Sequence, residues 1–251
     1  DPTCGSGGML VKCLDFLRKK GEPWQGVKVV GQEINALTSA IARMNLYLNG
    51  VEDFSIVRED TLTHPAFIDG SKLRKFDIVL ANPPYSIKTW NREAFMNDKW
   101  GRNFLGTPPQ GRADYAFMQH IIASMNSNSG RCAILFPHGV LFRDEEKEIR
   151  KNLILQDDIE CVIGLGPNLF YNSPMEACII ICNKNKTSEM KNRILMINAV
   201  HEVIRKNGES LLLDKHIEKI SSTYHEKIEI EGFSKVTSLD EIKEKDYNLN
   251  I

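Results

Sequence analysis

The segment Asn82-Pro83-Pro84-Tyr85 follows an apolar run, DIVLA, that predicts a strand. An asparagine side chain and a proline carbonyl are both hydrogen-bond acceptors. Two acceptors held by stiff prolines can receive both hydrogens of an amino group, which leaves the nitrogen lone pair free to attack an electrophile. The tyrosine ring offers a planar base a stacking surface. A rigid turn alone would explain the prolines only, so we interpret the segment as a site of methyl transfer to an amino or amide nitrogen.

A glycine-rich turn, CGSGG, opens a predicted helix near the start of the chain. Gly5, Gly7 and Gly8 let the backbone approach a ligand closely and are expected to present free N–H groups at the positive end of the helix. Dinucleotide-binding turns have the same composition. The turn therefore predicts a ligand site but leaves the ligand open.

Two acidic residues end the next two predicted strands. Glu33 closes VVGQE, and Asp60 closes SIVRED. In doubly wound sheets, ligands bind beyond the carboxyl ends of the strands, and an acid there commonly holds ribose hydroxyls. The alternatives are a surface carboxylate for Glu33 and a helix cap for Asp60. Together with the glycine turn, the two acids favour a ribose-containing cofactor.

Apolar β-rich runs alternate with amphipathic segments, which predicts an α/β fold with a mostly parallel twisted sheet and helices on both faces. One predicted helix, 35–50, has Leu37, Ile41, Met44 and Leu48 at helical spacing and stops at an Asn-Gly pair. We expect residues 1–183 to form the catalytic core and residues 184–251 a peripheral extension of the sheet. The predicted strands are 27–34, 54–60, 76–82 (a buried one), 131–137, 159–165, 177–183 and 193–199, and the other helices are 6–20, 113–125 and 143–155.

Residues 86–111 form a long connection without periodicity, and such connections are usually functional or disordered. Four cations alternate there with four aromatic rings, a composition that suits a strand of nucleic acid. Local packing of the rings is an equally good interpretation. The residues are Lys88, Arg92, Lys99 and Arg102 with Trp90, Phe95, Trp100 and Phe104.

The composition, 42% hydrophobic and 26% charged over 251 residues, is that of an ordinary globular protein. No apolar run approaches the roughly 20 residues of a membrane span, so a cytoplasmic location is expected. The six cysteines lack C-x-x-C spacing and are expected to be reduced core residues, with no metal site. The net charge of −1 implies that any nucleic acid is held by local patches or with a partner's help.

Four motifs in order, DPTCGSGG, GQEIN, REDTL and DIVLANPPY, resemble those of the S-adenosylmethionine-dependent N6-adenine DNA methyltransferases. Four more, GRADYAFMQHII, GRCAILFPHGVLFR, VIGLGPNLFY and DYNLNI, extend the resemblance to the methylation subunit of type I restriction-modification systems. The resemblance covers nearly the whole chain. It implies the Rossmann-like methyltransferase fold and methyl transfer to the N6 amino group of adenine in DNA.

The resemblance also implies roles for individual residues. On the substrate side, Asn82 and the Pro83 carbonyl would hold the target N6, and Tyr85 would stack on a base flipped out of the duplex. Phe170 matches a second base-stacking position, although it or the adjacent Tyr171 could equally be core. On the cofactor side, the methionine end would be lined by Asp1, Thr3, Gly5 and Gly7, the ribose bound by Glu33 and the adenine amino group by Asp60.

Members of this family carry an N-terminal helical domain, a further cofactor-contacting motif and the central first strand before the glycine turn. This sequence shows none of the three, so the chain alone is expected to bind cofactor poorly. The implied partners are DNA, a specificity subunit and possibly a restriction subunit. Two alternatives remain open: N-methylation of a release-factor glutamine or of ribosomal RNA, and an assembly module without turnover.

Overall fold

The structure, a computed structural model, describes residues 1–170, 174–206 and 209–250. It confirms the predicted α/β organisation. The elements in chain order are α1 (Gly8–Lys20), β1 (Val29–Glu33), α2 (Ala36–Leu48), β2 (Phe54–Arg58), β3 (Ile68–Asp69), β4 (Lys72–Leu73), β5 (Ile78–Ala81), α3 (Arg92–Met96), α4 (Asp114–Ser124), β6 (Arg131–Pro137), α5 (Lys147–Leu155), β7 (Ile159–Leu165), β8 (Ala177–Asn183), β9 (Arg193–Ala199), β10 (Ile204–Lys206), β11 (Glu209–Leu211), α6 (Asp214–Glu226), β12 (Ser234–Ser238) and α7 (Leu239–Glu244).

The main sheet has six strands in the order β12-β9-β7-β8-β6-β5. The pairs β5–β6 and β7–β9 are parallel, whereas β8 runs antiparallel to β6 and β7, and β12 runs antiparallel to β9. A second sheet consists of the parallel pair β1–β2. Strands β9 and β12 follow residue 184, so that part of the chain extends the main sheet; the boundary at 183/184 stays a prediction.

Helix α1 is flanked by two glycines in the left-handed region, Gly7 before it with φ 75° and Gly21 after it with φ 73°. A Cβ atom on Gly7 would lie 3.4 Å from the Cβ of Ala42, so glycine also lets α1 and α2 approach closely. The basic residues of the last turn of α1 complement the helix dipole. The glycine turn is thereby fixed to the β1–β2 unit.

The apolar series on α2 identified the helix, but it does not form the buried face. Leu37, Ile41, Met44 and Leu48 are 47 to 73% exposed. The buried face consists of Ser39, Ala42 and Leu46, because small side chains allow α2 to lie close to its neighbours.

The largest core cluster lies between the main sheet and helices α4 and α5. Met118 and Ile121 of α4 and Leu153 of α5 are buried against strand residues such as Ile134 and Phe136. Such close-packed side chains fix α4 relative to β5 and β6. Helix α4 is consequently a rigid support for the loops at the carboxyl ends of β5 and β6.

An apolar cavity of about 180 Å³ separates the edges of β1 and β5. Its lining includes Val29, Val79 and Ile78, and Ile78 is 64% exposed. The prediction of a buried strand at 76–82 is therefore wrong at Ile78, whose side chain borders this cavity. On the β1 side, the main-chain nitrogen of Asp1 donates to the Val30 carbonyl at 3.0 Å, and the Gln32 N–H donates to the Asp1 carbonyl at 3.0 Å. These bonds tie the start of the chain to β1.

The six cysteines are free thiols, and five of them are buried, all except Cys13. In the described parts of the chain, no helix has the length and apolarity that crossing a bilayer requires.

Candidate active site

The glycine turn and the end of β1 meet through one carboxylate. The Gly5 N–H donates to Glu33 Oε2 at 3.1 Å, and the Asn35 N–H donates to Glu33 Oε1 at 2.8 Å. Gly5 itself has φ 53°, a conformation that favours glycine. Glu33 is therefore held beside the turn, and each of its oxygens keeps a lone pair for a further donor.

The prediction of free N–H groups is wrong for two of the glycines. The Gly5 N–H is bonded to Glu33, and the Gly7 N–H donates to the Cys4 carbonyl at 2.8 Å. The carboxylate of Asp1 is also engaged within the turn, because Thr3 donates its N–H to Asp1 Oδ1 at 2.9 Å. Gly5 and Gly7 therefore supply backbone conformation, since both have positive φ.

Asp60, two residues after β2, caps a turn and not the helix of its alternative interpretation, since residues 61–63 form a turn. Oδ1 accepts the Leu62 N–H at 3.0 Å, and Oδ2 accepts the Thr63 hydroxyl at 2.6 Å. The neighbouring Thr61 hydroxyl donates to the Pro2 carbonyl at 2.5 Å. The end of β2 is thus tied to the glycine turn, which brings Asp60 to the same edge as Glu33.

The Asn82–Tyr85 loop begins at the carboxyl end of β5. Asn82 is exposed, Pro83 is buried and Tyr85 is partly buried. A buried proline beside an exposed amide anchors the loop while leaving the asparagine accessible to a substrate. Burial raises the pKa of the Tyr85 phenol, and the nearby Cys178 and Asp114 raise it further. The ring therefore presents a neutral face at physiological pH.

A small apolar cluster joins the Asp60 turn to the loop that follows Tyr85. Leu62 packs there with Phe95 and with Phe117 of α4, and Ile87 and Trp90 border the cluster. Since α4 is fixed to the main sheet, this cluster sets the position of the Asp60 turn relative to the segment that follows Tyr85. The glycine turn is thus bonded to Glu33 and to Thr61, and the apolar cluster joins the Asp60 turn to the segment directly after the Asn82–Tyr85 loop.

Arg102 fixes the long connection 86–111 to the Asp60 turn. Its side chain is 1% exposed and donates to the Thr61 and Leu62 carbonyls, both at 2.7 Å, and to Asp98 Oδ1 at 2.6 Å. This arginine is not accessible to a phosphate. For Arg102 the interpretation as a nucleic-acid contact is therefore wrong.

The aromatic rings of this connection divide into two groups. Phe95 is fully buried and meets Trp90 edge-on at 5.8 Å between ring centroids, so for this pair the interpretation as local packing is confirmed. Lys99 lies over the Trp100 ring at 4.7 Å from its centroid, and the side chain of Phe104 is 37% exposed. For Lys99, Trp100 and Phe104, nucleic-acid contact stays a prediction.

Phe170 is partly buried and packs against the apolar cluster of β7 and β9. This contact favours a core role, and stacking on a base stays a prediction. Tyr171, the alternative ring, lies outside the described residues.

The buried ion pair of Arg102 and the buried carboxylate of Glu146 were not predicted from the sequence. Arg102 had a detectable signal, the spacing of Asp98 and Arg102 by four residues within an aromatic-rich run. Glu146 had none, because it lies in the acidic run DEEKE and only the fold buries it completely. Arg143 donates to Glu146 Oε2 at 3.2 Å and to Asp114 Oδ2 at 3.0 Å, so two carboxylates share one guanidinium.

Glu146 is expected to make stability fall with rising pH. Burial, assisted by Asp114 and opposed by Arg143, raises its pKa from 4.5 to about 7. Between these values the folded state binds more protons than the unfolded state, so the free energy of unfolding decreases as pH rises through that window. In urea unfolding, the free energy of unfolding of Glu146→Gln minus that of wild type should increase by on the order of 2 kcal/mol from pH 5 to pH 8. The exposed Glu145→Gln is the control; an equal difference at both pH values for Glu146→Gln would contradict the assignment.

Comparison with known proteins places these features in one family. Residues 1–251 match the family described as N-6 DNA Methylase. The chain is 37% identical to the type I restriction enzyme MjaVIII methylase subunit of Methanocaldococcus jannaschii, over 100% of this chain and 44% of that protein. It is 34% identical to the HindI methylase subunit of Haemophilus influenzae, over 99% of this chain and 56% of that protein. The chain spans about half the length of these relatives.

A solved structure agrees with the sequence matches. The methyltransferase subunit of a type I restriction-modification system from Streptococcus thermophilus superposes with a TM-score of 0.90 and 38% identity, covering 100% of this chain and 52% of that one. The match includes the sheet, the glycine turn and the loop after β5, since it spans the whole chain. The chain belongs to the N-6 DNA methylase family.

Proposed function

We propose that this chain carries the catalytic domain of a type I methylation subunit and transfers a methyl group from S-adenosylmethionine to the N6 of adenine in DNA. The observation that carries the proposal is the Asn82–Tyr85 loop at the end of β5, linked through Leu62 and α4 to the turn that holds Asp60. The names of the relatives, type I methylase subunits, support the same class.

The residues on the cofactor side fit S-adenosylmethionine. When bound, this cofactor supplies an electrophilic methyl group. Its ribose hydroxyls and adenine amino group are donors, and the structure offers acceptors for them in Glu33 and Asp60, each already held by two hydrogen bonds. Charge-assisted bonds to carboxylates are the stronger kind. We infer that Glu33 binds the ribose and Asp60 the adenine amino group, with Asp1, Thr3, Gly5 and Gly7 shaping the methionine end.

Glu33→Gln is expected to weaken S-adenosylmethionine binding by about tenfold or more, because it removes a charged acceptor of two hydroxyl groups. The measurement is calorimetric titration of the natural protein. Glu52→Gln, an exposed carboxylate between α2 and β2, should bind as wild type does. An unchanged dissociation constant for Glu33→Gln would remove Glu33 from the site.

On the substrate side, Asn82 Oδ1 and the Pro83 carbonyl accept the two N6 hydrogens of adenine. This turns the nitrogen lone pair out of the ring plane and towards the methyl group, and the two acceptors stabilise the positive charge that develops on N6. The new bond from N6 to the methyl carbon would replace the bond from that carbon to sulfur, which leaves as a neutral thioether, and N6 would then lose one proton to solvent. The Tyr85 ring stacks on the flipped base, and Phe170 supplies a second stacking surface. The flipped conformation is needed because N6 is not accessible to the loop inside a duplex.

The partners are DNA, a specificity subunit and, in a restriction-competent complex, a restriction subunit. A chain with a net charge of −1 is poorly suited to hold DNA alone, since phosphate contacts require clustered cations. A specificity subunit would contribute these phosphate contacts and recognise the DNA sequence. The complex would act in the cytoplasm.

The acceptor class is tested by incubating the natural protein, with its specificity subunit, in labelled S-adenosylmethionine with DNA, ribosomal RNA or a release factor. Label in DNA alone is the expected result. Label in RNA or in a glutamine amide would support the other N-methyltransferases. Stable partner binding with no cofactor binding would support the assembly module.

A further inference from the structure

The residue directly after the catalytic loop has an unusual backbone conformation. Ser86 has φ 49°, in the left-handed region that costs a residue with a side chain about 1 kcal/mol or more. Such a conformation persists where neighbouring groups impose it. Ser86 is one residue from Tyr85 and four from Asn82, so whatever imposes its conformation also sets the path of the loop.

Asp114 at the first turn of α4 makes the contacts that hold Ser86. The Ser86 N–H donates to Asp114 Oδ1 at 2.8 Å, and the Ser86 hydroxyl donates to Asp114 Oδ2 at 3.2 Å. The Asp114 side chain is 1% exposed, and a carboxylate at this end of a helix is favoured by the helix dipole. The loop after β5 is thus bonded to the rigid helix α4.

Arg143 completes the arrangement from a third element, the turn after β6. It donates to Asp114 Oδ2 at 3.0 Å and reaches the Ser86 Oγ at 3.4 Å. Gly139 makes room for it, since a Cβ there would lie 2.5 Å from Arg143 Nε. Because β5 and β6 are adjacent and parallel, this turn and the catalytic loop leave the same edge of the sheet.

The Glu146 carboxylate competes with Asp114 for the Arg143 guanidinium. It accepts from Arg143 at 3.2 Å, while its Oε1 has no hydrogen-bond partner among the described residues. Arg112, Asp114, Tyr115 and Arg143 are the charged or titratable groups close to it. When Glu146 is protonated, it no longer competes for the Arg143 guanidinium. Arg143 then pairs mainly with Asp114, the residue that holds Ser86.

We propose that Asp114 and Arg143 are positioning residues that hold the Ser86 main chain and so keep Asn82 and the Pro83 carbonyl aimed at the target amino group. This inference rests on the proposed function of the loop. Neither residue touches substrate; both act through the geometry of the loop. Misplacement of reacting groups by about 1 Å can cost on the order of a hundredfold in rate.

The first test measures kcat and cofactor affinity in the natural complex for Asp114→Asn and Arg143→Met. Each should lower kcat by about tenfold or more, with the dissociation constant for S-adenosylmethionine within about twofold of wild type. Asp144→Asn, an exposed aspartate on the same segment as Arg143, is the matched control and should behave as wild type. Unchanged kcat, or equal losses in kcat and cofactor affinity, would overturn the proposal.

A second test does not depend on activity. The Asp114 bond protects the Ser86 amide, so in Asp114→Asn and Arg143→Met hydrogen exchange in a peptide spanning 82–90 should accelerate by about tenfold, while α5 keeps its wild-type rate. No acceleration would overturn the proposal. If exchange accelerates in the variants but the wild-type complex methylates no DNA, the contacts do hold the loop and the proposed function is refuted instead.

Discussion

Asn82→Ala is expected to lower the rate of methyl transfer to DNA by about a hundredfold or more, by analogy with the loss of one preorganised donor from an oxyanion hole. In the proposed mechanism the alanine removes one of two acceptors for the amino hydrogens, so the lone pair would no longer be held towards the methyl group. Asn82 is exposed and Pro83 anchors the loop, so the fold should be unaffected. The assay is the single-turnover rate in the natural complex.

The control for this variant is Asn128→Ala, an exposed asparagine in the turn before β6. It should keep the wild-type rate. The affinity of Asn82→Ala for S-adenosylmethionine should also stay within about twofold, because the role we propose for Asn82 is on the acceptor base. A collapse of cofactor binding would mean that Asn82 belongs to the cofactor side and that its role is misassigned.

Arg102→Met is expected to lower the free energy of unfolding by about 3–5 kcal/mol, because it leaves the Asp98 carboxylate buried without its counter-ion. Asp98 and Arg102 are each 1% exposed, so solvent cannot replace the lost pair. The Thr61 and Leu62 carbonyls also lose their donors, which loosens the turn that carries Asp60. Urea unfolding of the natural protein measures the loss.

The double variant Asp98→Asn/Arg102→Met isolates the buried charge. It should be more stable than Arg102→Met alone by about 1 kcal/mol or more, since the remaining amide is neutral. Lys99→Met, on the exposed residue between them, should stay within about 0.5 kcal/mol of wild type. A double variant no more stable than the single one would show that the ion pair is not the source of the effect.

Local patterns predicted the longer strands and helices between residues 6 and 199, and they supplied the candidate site residues, whose roles stay predictions. The glycine turn, the acids after β1 and β2 and the Asn82–Tyr85 loop are each contiguous in sequence, and the α/β alternation brings the carboxyl ends of parallel strands to one edge. The position of Glu33 beside Gly5 follows from this rule. The same rule does not predict which N–H groups of the glycine turn remain free. In the structure the Gly5 and Gly7 N–H groups donate to Glu33 and to the Cys4 carbonyl.

Contacts between residues that are far apart in the chain could not be predicted from the sequence. Arg102 bonds to carbonyls 40 and 41 residues away, and Arg143 bonds to a carboxylate 29 residues away, so neither pairing leaves a periodic pattern. On α2 the spacing of apolar residues indicated a helix, but close packing through Ala42 decided which face is buried. Ile78 shows the same limit, because strand composition does not reveal which edge borders a cavity.

The most direct test of the account is to find which atom of DNA receives the methyl group. DNA carrying the recognition site is incubated with the natural complex and S-adenosylmethionine labelled in the methyl group, then digested to nucleosides and separated. The arrangement of Asn82, Pro83 and Tyr85 predicts label in N6-methyldeoxyadenosine alone. Label on a ring carbon of cytosine would contradict the account, because a carbon nucleophile has no amino hydrogens for the two acceptors to hold.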